Sequence, residues 1–475
     1  MKRILKAAIL FANMAMILSC SKNFEEINID KNNPTPDKIT AAILLPDVLI
    51  KLADQHVMNN YSLGNVVSQY YVRLQYNNID IYNWVADDGV WKFYDLIPNI
   101  NDIEQIAKQN NQPEYIGVAL VLKALVYSMI TDAYGDVPYT EAGKINAGVQ
   151  MPKYDRQEDI YADLLLQLEE ANTILAGAKG NIAGDPLYKG DIKQWQKFAN
   201  ALHLRLLSKV ANRRSIVQEF TKIINNPAKY PIFGSNADNA VYQYKGSGIE
   251  VSPLTTGRGR SYEIDITGCA KPVQELLTKW KDPRLSYLYD APKKNPSGSI
   301  VGVTPGSSMS TLPPNDQISQ LSYKFFRNTQ LIQGIFMTYS EQEFLLSEAV
   351  ERKWISGDAK THYDRGVKMN FEFWGLTIPA GYLSGPAAYE AGNLDLIAQQ
   401  KWISYFWNGM EAWNDYKRTR RPNLVPGPAN VNANRIPLRM IYPAAEQSVN
   451  QRNYQDAVKT MGGKDDINAK SWWNL

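Results

Sequence analysis

Along most of the chain apolar residues recur every three or four positions, the spacing that gathers them on one face of a helix. From Ile39 to about Tyr76 this pattern runs with a break near Asn59 and Asn60. Trp91 to Asn110 predicts a second helix. Pro113 opens a third, "PEYIGVALVLKALVYSMITDAYG", which Gly135 and Pro138 stop, since Gly at a helix end and Pro just beyond it both terminate the spiral. "YDRQEDIYADLLLQLEEANTILAGA" and "DIKQWQKFANALHLRLLSKVANRR" predict an amphipathic pair. "SEQEFLLSEAVERKWISGDAKTHYDRGVKMNFEFWG" reads as helix, short turn at Ser356–Gly357, helix, a hairpin of tetratricopeptide length. Ala359 and Tyr363 supply the small-then-aromatic spacing that lets two such helices pack closely. A further helix is expected from about Leu394 to Lys417. Between about residues 225 and 328 the periodicity gives way to Gly- and Pro-rich stretches such as "KGSGIEVSPLTTGRGR" and "APKKNPSGSIVGVTPGSSMSTLPPND". Loops this long in a compact protein usually serve function. The expected fold is mainly α: tetratricopeptide-like helical hairpins with a loop-rich insert.

The start of the chain follows another rule. Lys2, Arg3 and Lys6 precede an apolar run from Ala7 to Leu18, interrupted by Asn13. A basic head and a short apolar stretch read as a secretory leader, because spanning a bilayer takes about 20 apolar residues. Ile17-Leu18-Ser19-Cys20 resembles the bacterial lipobox, in which cleavage precedes a Cys whose thiol carries diacylglycerol. Two or three acyl chains suffice for stable anchoring. The stretch that follows, "SKNFEEINIDKNNPTPDK", lacks helical periodicity and suits a tether. Residues 1–19 are expected to be the leader, 20–38 the tether and 39–475 one domain. Glu25 and Glu26 resemble acidic export signals that bring some lipoproteins to the cell surface.

Charge narrows the choice of partners. The formal net charge is +3, and the three basic residues of the leader account for all of it. Nothing in a neutral mature chain steers it toward nucleic acid. With Cys20 acylated, Cys269 is expected as a free thiol. No GxSxG, Walker A, HExxH or CxxC pattern occurs, and "GRGRSY" lacks the last glycine of a dinucleotide fingerprint. His56, His203 and His362 are far apart. Adjacent acids such as Asp87–Asp88, Glu169–Glu170 and Asp465–Asp466 could serve a glycosidase only at a set separation across the bond. "DKNN" near Asp30 has some calcium-loop character without the loop glycine or bidentate acid. No catalytic residue, metal or cofactor is expected.

"YYVRLQYNNIDIYNWVADDGVWKFY" concentrates Tyr70, Tyr71, Tyr76, Tyr82, Trp84, Trp91 and Tyr94 among Gln75, Asn77, Asn78, Asp80 and Asn83. A sugar ring offers an apolar face, which an aromatic ring meets, and a rim of hydroxyls, which amides and carboxylates meet. Trp91 and Tyr94 are expected to open a helix and face the core. Tyr82 and Trp84, in a loop, divide evenly between core packing and ligand contact.

"TDAYGDVPYTEA", "DPLYKGDIKQWQKFANALHLRLLSK", "KDPRL", "EAWNDYKRTRRP", "IPLRMIYPAAEQSVNQRNY" and the final "WWN" resemble the SusD/RagB nutrient-binding lipoproteins, and "NFEEINIDKNNPT" fits as their tether. The resemblance extends from Cys20 to Asn474. It implies a tetratricopeptide-like fold with a loop-rich ligand face. It further implies a lid for a SusC-like TonB-dependent outer-membrane transporter, capturing oligosaccharides or in some cases peptides without chemistry. Asp136, Pro138 and Tyr139 would fix the turn after a helix, and Trp195, Asn200 and Arg205 a hairpin. Tyr76, Tyr82 and Trp84, with Arg258, Arg260 and Tyr262 from the insert, are the expected ligand contacts. A surface glycoside hydrolase and a peptide-binding or assembly lipoprotein stay open as alternatives.

Overall fold

The structure, a computed structural model, describes residues 39–255 and 265–474. Cys20, the leader, the "DKNN" stretch and the whole tether lie outside the described residues, as do Arg258, Arg260 and Tyr262. Helices dominate. α1 (Ala41–Asn59) buries Leu45, Val48, Leu49, Leu52 and Ala53 on one face. The break foreseen at Asn59–Asn60 is a π-turn, Asn60–Gly64. There the chain meets the backbone at Gly409 so closely that a Cβ on Gly64 would lie 2.7 Å from the Gly409 carbonyl carbon. The Asn60 and Asn65 side chains accept from the Met410 and Gly409 amides at 2.8 and 3.1 Å.

A 3₁₀ turn, Trp91–Leu96, leads into α2 (Ile97–Gln109). α3 (Pro113–Tyr134) starts at its proline and ends at Gly135, whose φ of 89° an L side chain rarely adopts. α3 is long and apolar enough to cross a bilayer, yet it is the central buried helix, packed on α2 and on α4 (Gln157–Gly177). α4 in turn packs on α5 (Ile192–Val210). At the end of α3, the Asp136 carboxylate accepts from the Gln157 amide and the Thr460 hydroxyl, both at 2.9 Å, as expected of a residue that fixes the turn. Trp195 donates to Asp185 at 2.8 Å, and Asn200 bridges Asn172 and the Pro231 carbonyl, both at 2.9 Å.

The later hairpin is α6 (Tyr339–Glu351) and α7 (Ala359–Phe373). Asp358 caps α7 through the Lys360 and Thr361 amides. Tyr363 is fully buried, and the Phe344 ring lies against Gly366, where a Cβ would intrude. The single helix expected from Leu394 to Lys417 is two: α8 (Leu394–Ser404) and α9 (Gly409–Thr419). Trp402, Tyr405, Phe406 and Trp407 are all buried, and four large rings in six residues cannot share one helical face. The chain turns at Trp407, φ 68°, which lets Gly409 reach the π-turn.

The insert holds short strands as well as loops. In chain order the strands are β1 (Tyr71–Arg73), β2 (Val137–Pro138), β3 (Tyr154–Asp155), β4 (Ala240–Tyr242), β5 (Thr267–Cys269), β6 (Tyr289–Asp290), β7 (Gln320–Leu321) and β8 (Gly334–Met337). They form an antiparallel sheet in the order β1-β5-β7-β6 and the pairs β2–β3 and β4–β8. The register Tyr71↔Cys269 and Arg73↔Thr267 ties the insert to the segment after α1. Cys269 is a buried free thiol, and burial holds its pKa well above the usual value.

Ion pairs sealed from water cross the helical layers. Arg418 grips Glu348 through two bonds of 2.7 and 2.6 Å, and Lys401 joins it at 2.8 Å. Asp415 accepts from both cations. Burial pushes the Glu348 carboxyl up, but Arg418, Lys401 and Arg352 outweigh it and hold the group well below the carboxylate range. Next to this cluster Arg205 binds Glu341 at 2.6 and 2.7 Å, and Lys209 bridges Asp132 and Glu411 at 2.6 and 2.9 Å. Removing one partner of a buried pair leaves the other charge uncompensated, which costs about 3–5 kcal/mol. Glu348→Gln is therefore expected to lower unfolding free energy by about that amount in urea melts. Asp456→Asn, at an exposed pair, should leave the midpoint in place. Equal melts for both variants would contradict the reading.

Candidate functional site

Three loops converge beside β1. The first, residues 74–85, folds on itself: Ile81 and Asn83 amides donate to Asn77 and Asn78 carbonyls at 3.1 and 2.9 Å. Its tight path puts Tyr76 and Tyr82 at φ of 55° and 60°, conformations uncommon outside glycine. The second loop, 304–311, meets it where the Asn77 side chain donates to the Ser307 carbonyl at 3.0 Å. The third, 424–434, closes on both. Val431 donates to the Ile81 carbonyl at 2.8 Å and Ala429 to that of Gly306 at 2.9 Å, while Gln69 reaches the Val425 carbonyl at 2.7 Å. The loops touch through bare backbone: a Cβ on Gly427 would lie 1.8 Å from the Pro305 oxygen, and one on Gly306 2.8 Å from that of Asp80.

The residues singled out from sequence take different places here. Tyr76 projects into solvent, 85% exposed. Trp84 is half-buried. Its indole donates to the Ile79 carbonyl at 3.1 Å, and its ring stands edge-on to Trp413 of α9 at 5.6 Å. Tyr82, expected as a partly exposed contact, is only 3% exposed. Burial raises its pKa well above the phenol range. Its ring is turned inward, underpins the loop and stands edge-on to Trp84 at 6.4 Å. The described chain resumes at Asp265, and Ile266 accepts from the Leu74 amide at 2.8 Å, two residues from Tyr76.

Other exposed apolar side chains on the loops did not stand out in the sequence: Val85, Met309, Val425 and Val431. Lone valines in "VPGPANVNAN" carry no periodic signal, and only the closure of the loops brings their segments together.

Asp80 is the charged residue within the first loop, and it is buried. One carboxylate oxygen accepts from the Arg73 amide at 3.1 Å; the other has no partner among the described residues. Burial, only partly offset by Arg73, pushes its pKa up from 3.8 to about 7.

The paired acids do structural work. Asp87 accepts from the Gly89 amide, Asp88 pairs with Lys92, Glu169 with Lys222, Asp465 with Arg439 and Asp466 with Lys464. His56 is held by the Ile335 carbonyl at 2.8 Å and His362 by Glu343 at 2.7 Å. No cluster of three or more His, Cys, Asp or Glu side chains able to hold a metal occurs among the described residues. A groove of about 670 Å³ lies elsewhere, lined by Ile43, Ile50, Lys189, Tyr242, Ile249 and Glu250; among the described residues, Tyr76, Tyr82 and Trp84 do not border it.

A helical scaffold of hairpins carrying a loop-built face defines the class, and comparison with known proteins gives the family. The SusD-like family model, described as starch-binding associating with outer membrane, matches residues 31–443. The chain belongs to the SusD-like family. A SusD homologue from Bacteroides fragilis shares 25% identity at a TM-score of 0.80, covering 92% of this chain and 99% of its own. A chitin-binding protein shares 27% identity at a TM-score of 0.79, covering 92% and 100%. A chitin-binding SusD homologue from Flavobacterium johnsoniae, 22% identical at a TM-score of 0.77 over 92% and 98%, shares the fold. Comparison with curated proteins finds no match.

The Asp80 carboxyl yields a pH signature. Its pKa is raised by folding, so its stabilising effect is complete below about 4 and is lost as pH rises to about 7. A shift of this size corresponds to about 4 kcal/mol. Asp80→Asn is expected to remove that loss and to unfold at higher urea than wild type at pH 8. The difference between the two proteins isolates Asp80. Burial lowers the pKa of both His56 and His203 to about 4, which shifts stability the opposite way across the same window. Superimposable pH profiles would contradict the assignment.

Proposed function

We propose that this protein captures a nutrient oligosaccharide on the three-loop face and delivers it unaltered to a SusC-like TonB-dependent transporter in the outer membrane. The observation that carries the reading is a loop rich in amides and locked to two others, which exposes Tyr76 and leaves Trp84 half-buried. Such a surface stacks on the apolar faces of sugar rings and meets their hydroxyls with planar amides. Family membership and the chitin-binding relative at 27% identity support a glycan as ligand. The lipobox-like Ile-Leu-Ser-Cys supports anchoring at Cys20, with 20–38 as tether and 39–475 as one domain facing the cell exterior. A lid must let go, so its affinity falls between micromolar and millimolar, about −8 to −4 kcal/mol.

Calorimetry against a panel of oligosaccharides, with product analysis after long incubation, tests the reading. Tyr76→Ala is expected to weaken binding about 10-fold, roughly 1.4 kcal/mol, with an unchanged melt because the ring is exposed. Tyr82→Ala is expected to lower stability, since it empties a buried site. Cleaved sugar would move the protein to the hydrolase class, and wild-type affinity in Tyr76→Ala would move the site off this face. Cys20→Ser is expected to abolish acyl mass in the intact protein; a mature N-terminus elsewhere in the wild type would remove the anchor.

A further inference from the structure

We infer that the glycan this face takes is uncharged, and that uronate-rich or sulfated polysaccharides are not its ligands. The inference rests on the glycan-binding reading above and concerns which class of sugar fits. The loop segments Gln75–Val85, Thr304–Pro314 and Leu424–Asn434 contain no Lys, Arg or Glu and one Asp, Asp80. Thirty-three residues at the chain average of 21% charged would hold about seven such side chains. Asp80 is buried beneath the loops with Arg73 behind it. Arg73 itself is turned inward, its guanidinium 4.3 Å over the Tyr61 ring and donating to the Tyr61 hydroxyl at 2.9 Å.

The outer surface of these loops is built from two kinds of group. Tyr76, Val85, Met309, Val425 and Val431 are 85, 76, 41, 59 and 64% exposed. Among them stand amides and hydroxyls: Asn78, Asn83, Asn434 and Ser310 are exposed, and Asn77 and Ser308 half-buried. Amides donate and accept equally, so they pair with hydroxyl or acetamido groups of either polarity. The valines and Met309 offer methyl groups to the CH faces of the rings. Within the three described segments no cation replaces the hydration that a carboxylate or sulfate held there would lose, and Arg435 stands just beyond the end of the third. More distant cations are screened beyond about 8 Å at physiological salt.

Isothermal calorimetry with neutral oligosaccharides (gluco- and N-acetylglucosamine series) and acidic ones (oligogalacturonate, sulfated oligosaccharide) decides the matter. The expected result is binding within the neutral series, less than twofold change in Kd between 50 and 500 mM NaCl, about 10-fold loss in Tyr76→Ala, and no heat with the acidic series. Acidic sugars that bind, weaken steeply with salt and are lost in Arg258→Ala or Arg260→Ala would overturn this inference while leaving glycan capture intact. Neutral binding that Tyr76→Ala leaves untouched would overturn it too, because the site would lie elsewhere. A protein that binds neither series but binds peptides would overturn the glycan reading itself. Circular dichroism melts of each variant separate loss of binding from loss of fold.

Discussion

Glu348 keeps two cations from water, and much of the molecule follows from that. A carboxylate shared by Arg418 and Lys401 fixes α6, α8 and α9 against one another. Burying ions gains little net stability, but a buried network tolerates few alternative arrangements, because any slip strands a charge. α9 is the helix most constrained by it. Its first residue, Gly409, receives the π-turn after α1. Its Trp413 backs Trp84, with the Trp413 indole donating to the Pro437 carbonyl at 2.7 Å. Its C-terminal end leads directly into the third loop of the candidate face. A position set deep in the scaffold by charge pairing is thereby passed outward to loops that have few apolar contacts of their own.

The helical part of this design was legible in the sequence wherever one face was apolar and the other polar. α3 began at Pro113 and ended at Gly135 because local chemistry alone dictates both ends. The failure at α8 and α9 is equally physical. Buried on more than one side, Trp402 to Trp407 carry no amphipathic signal that distinguishes a continuous helix from a turn. The strands of the insert were missed because segments of two to four residues are too short for alternation to register. They exist through long-range pairing: β5 joins β1, some 200 residues away in sequence, β7 and β6 add to β5, and β4 pairs with β8.

At the candidate site, Tyr82 stood among the expected ligand contacts and lies buried instead. Tyr76 and Tyr82 are both tyrosines in polar surroundings, both with left-handed backbones, yet one faces solvent and the other the core. Beside Tyr82 the loops 304–311 and 424–434 dock on the backbone of Asp80 and Ile81, a long-range event with no local signature. The same docking leaves outside a surface of amides, hydroxyls, methyls and one prominent ring, while the carboxylate of Asp80 goes inside. Such a surface suits reversible contact with a polymer that has both CH faces and hydroxyls. Its rigidity is inherited from the scaffold rather than from the loops.

Hydrogen–deuterium exchange with and without a bound neutral oligosaccharide tests this account most directly. Ligand is expected to slow exchange in residues 75–85, 304–311 and 424–434, and to leave α3, α5 and the Glu348 helices unchanged, because the scaffold is already set. Protection confined to the groove around Ile43 and Ile249, with no change in the Tyr76 segment, would contradict it.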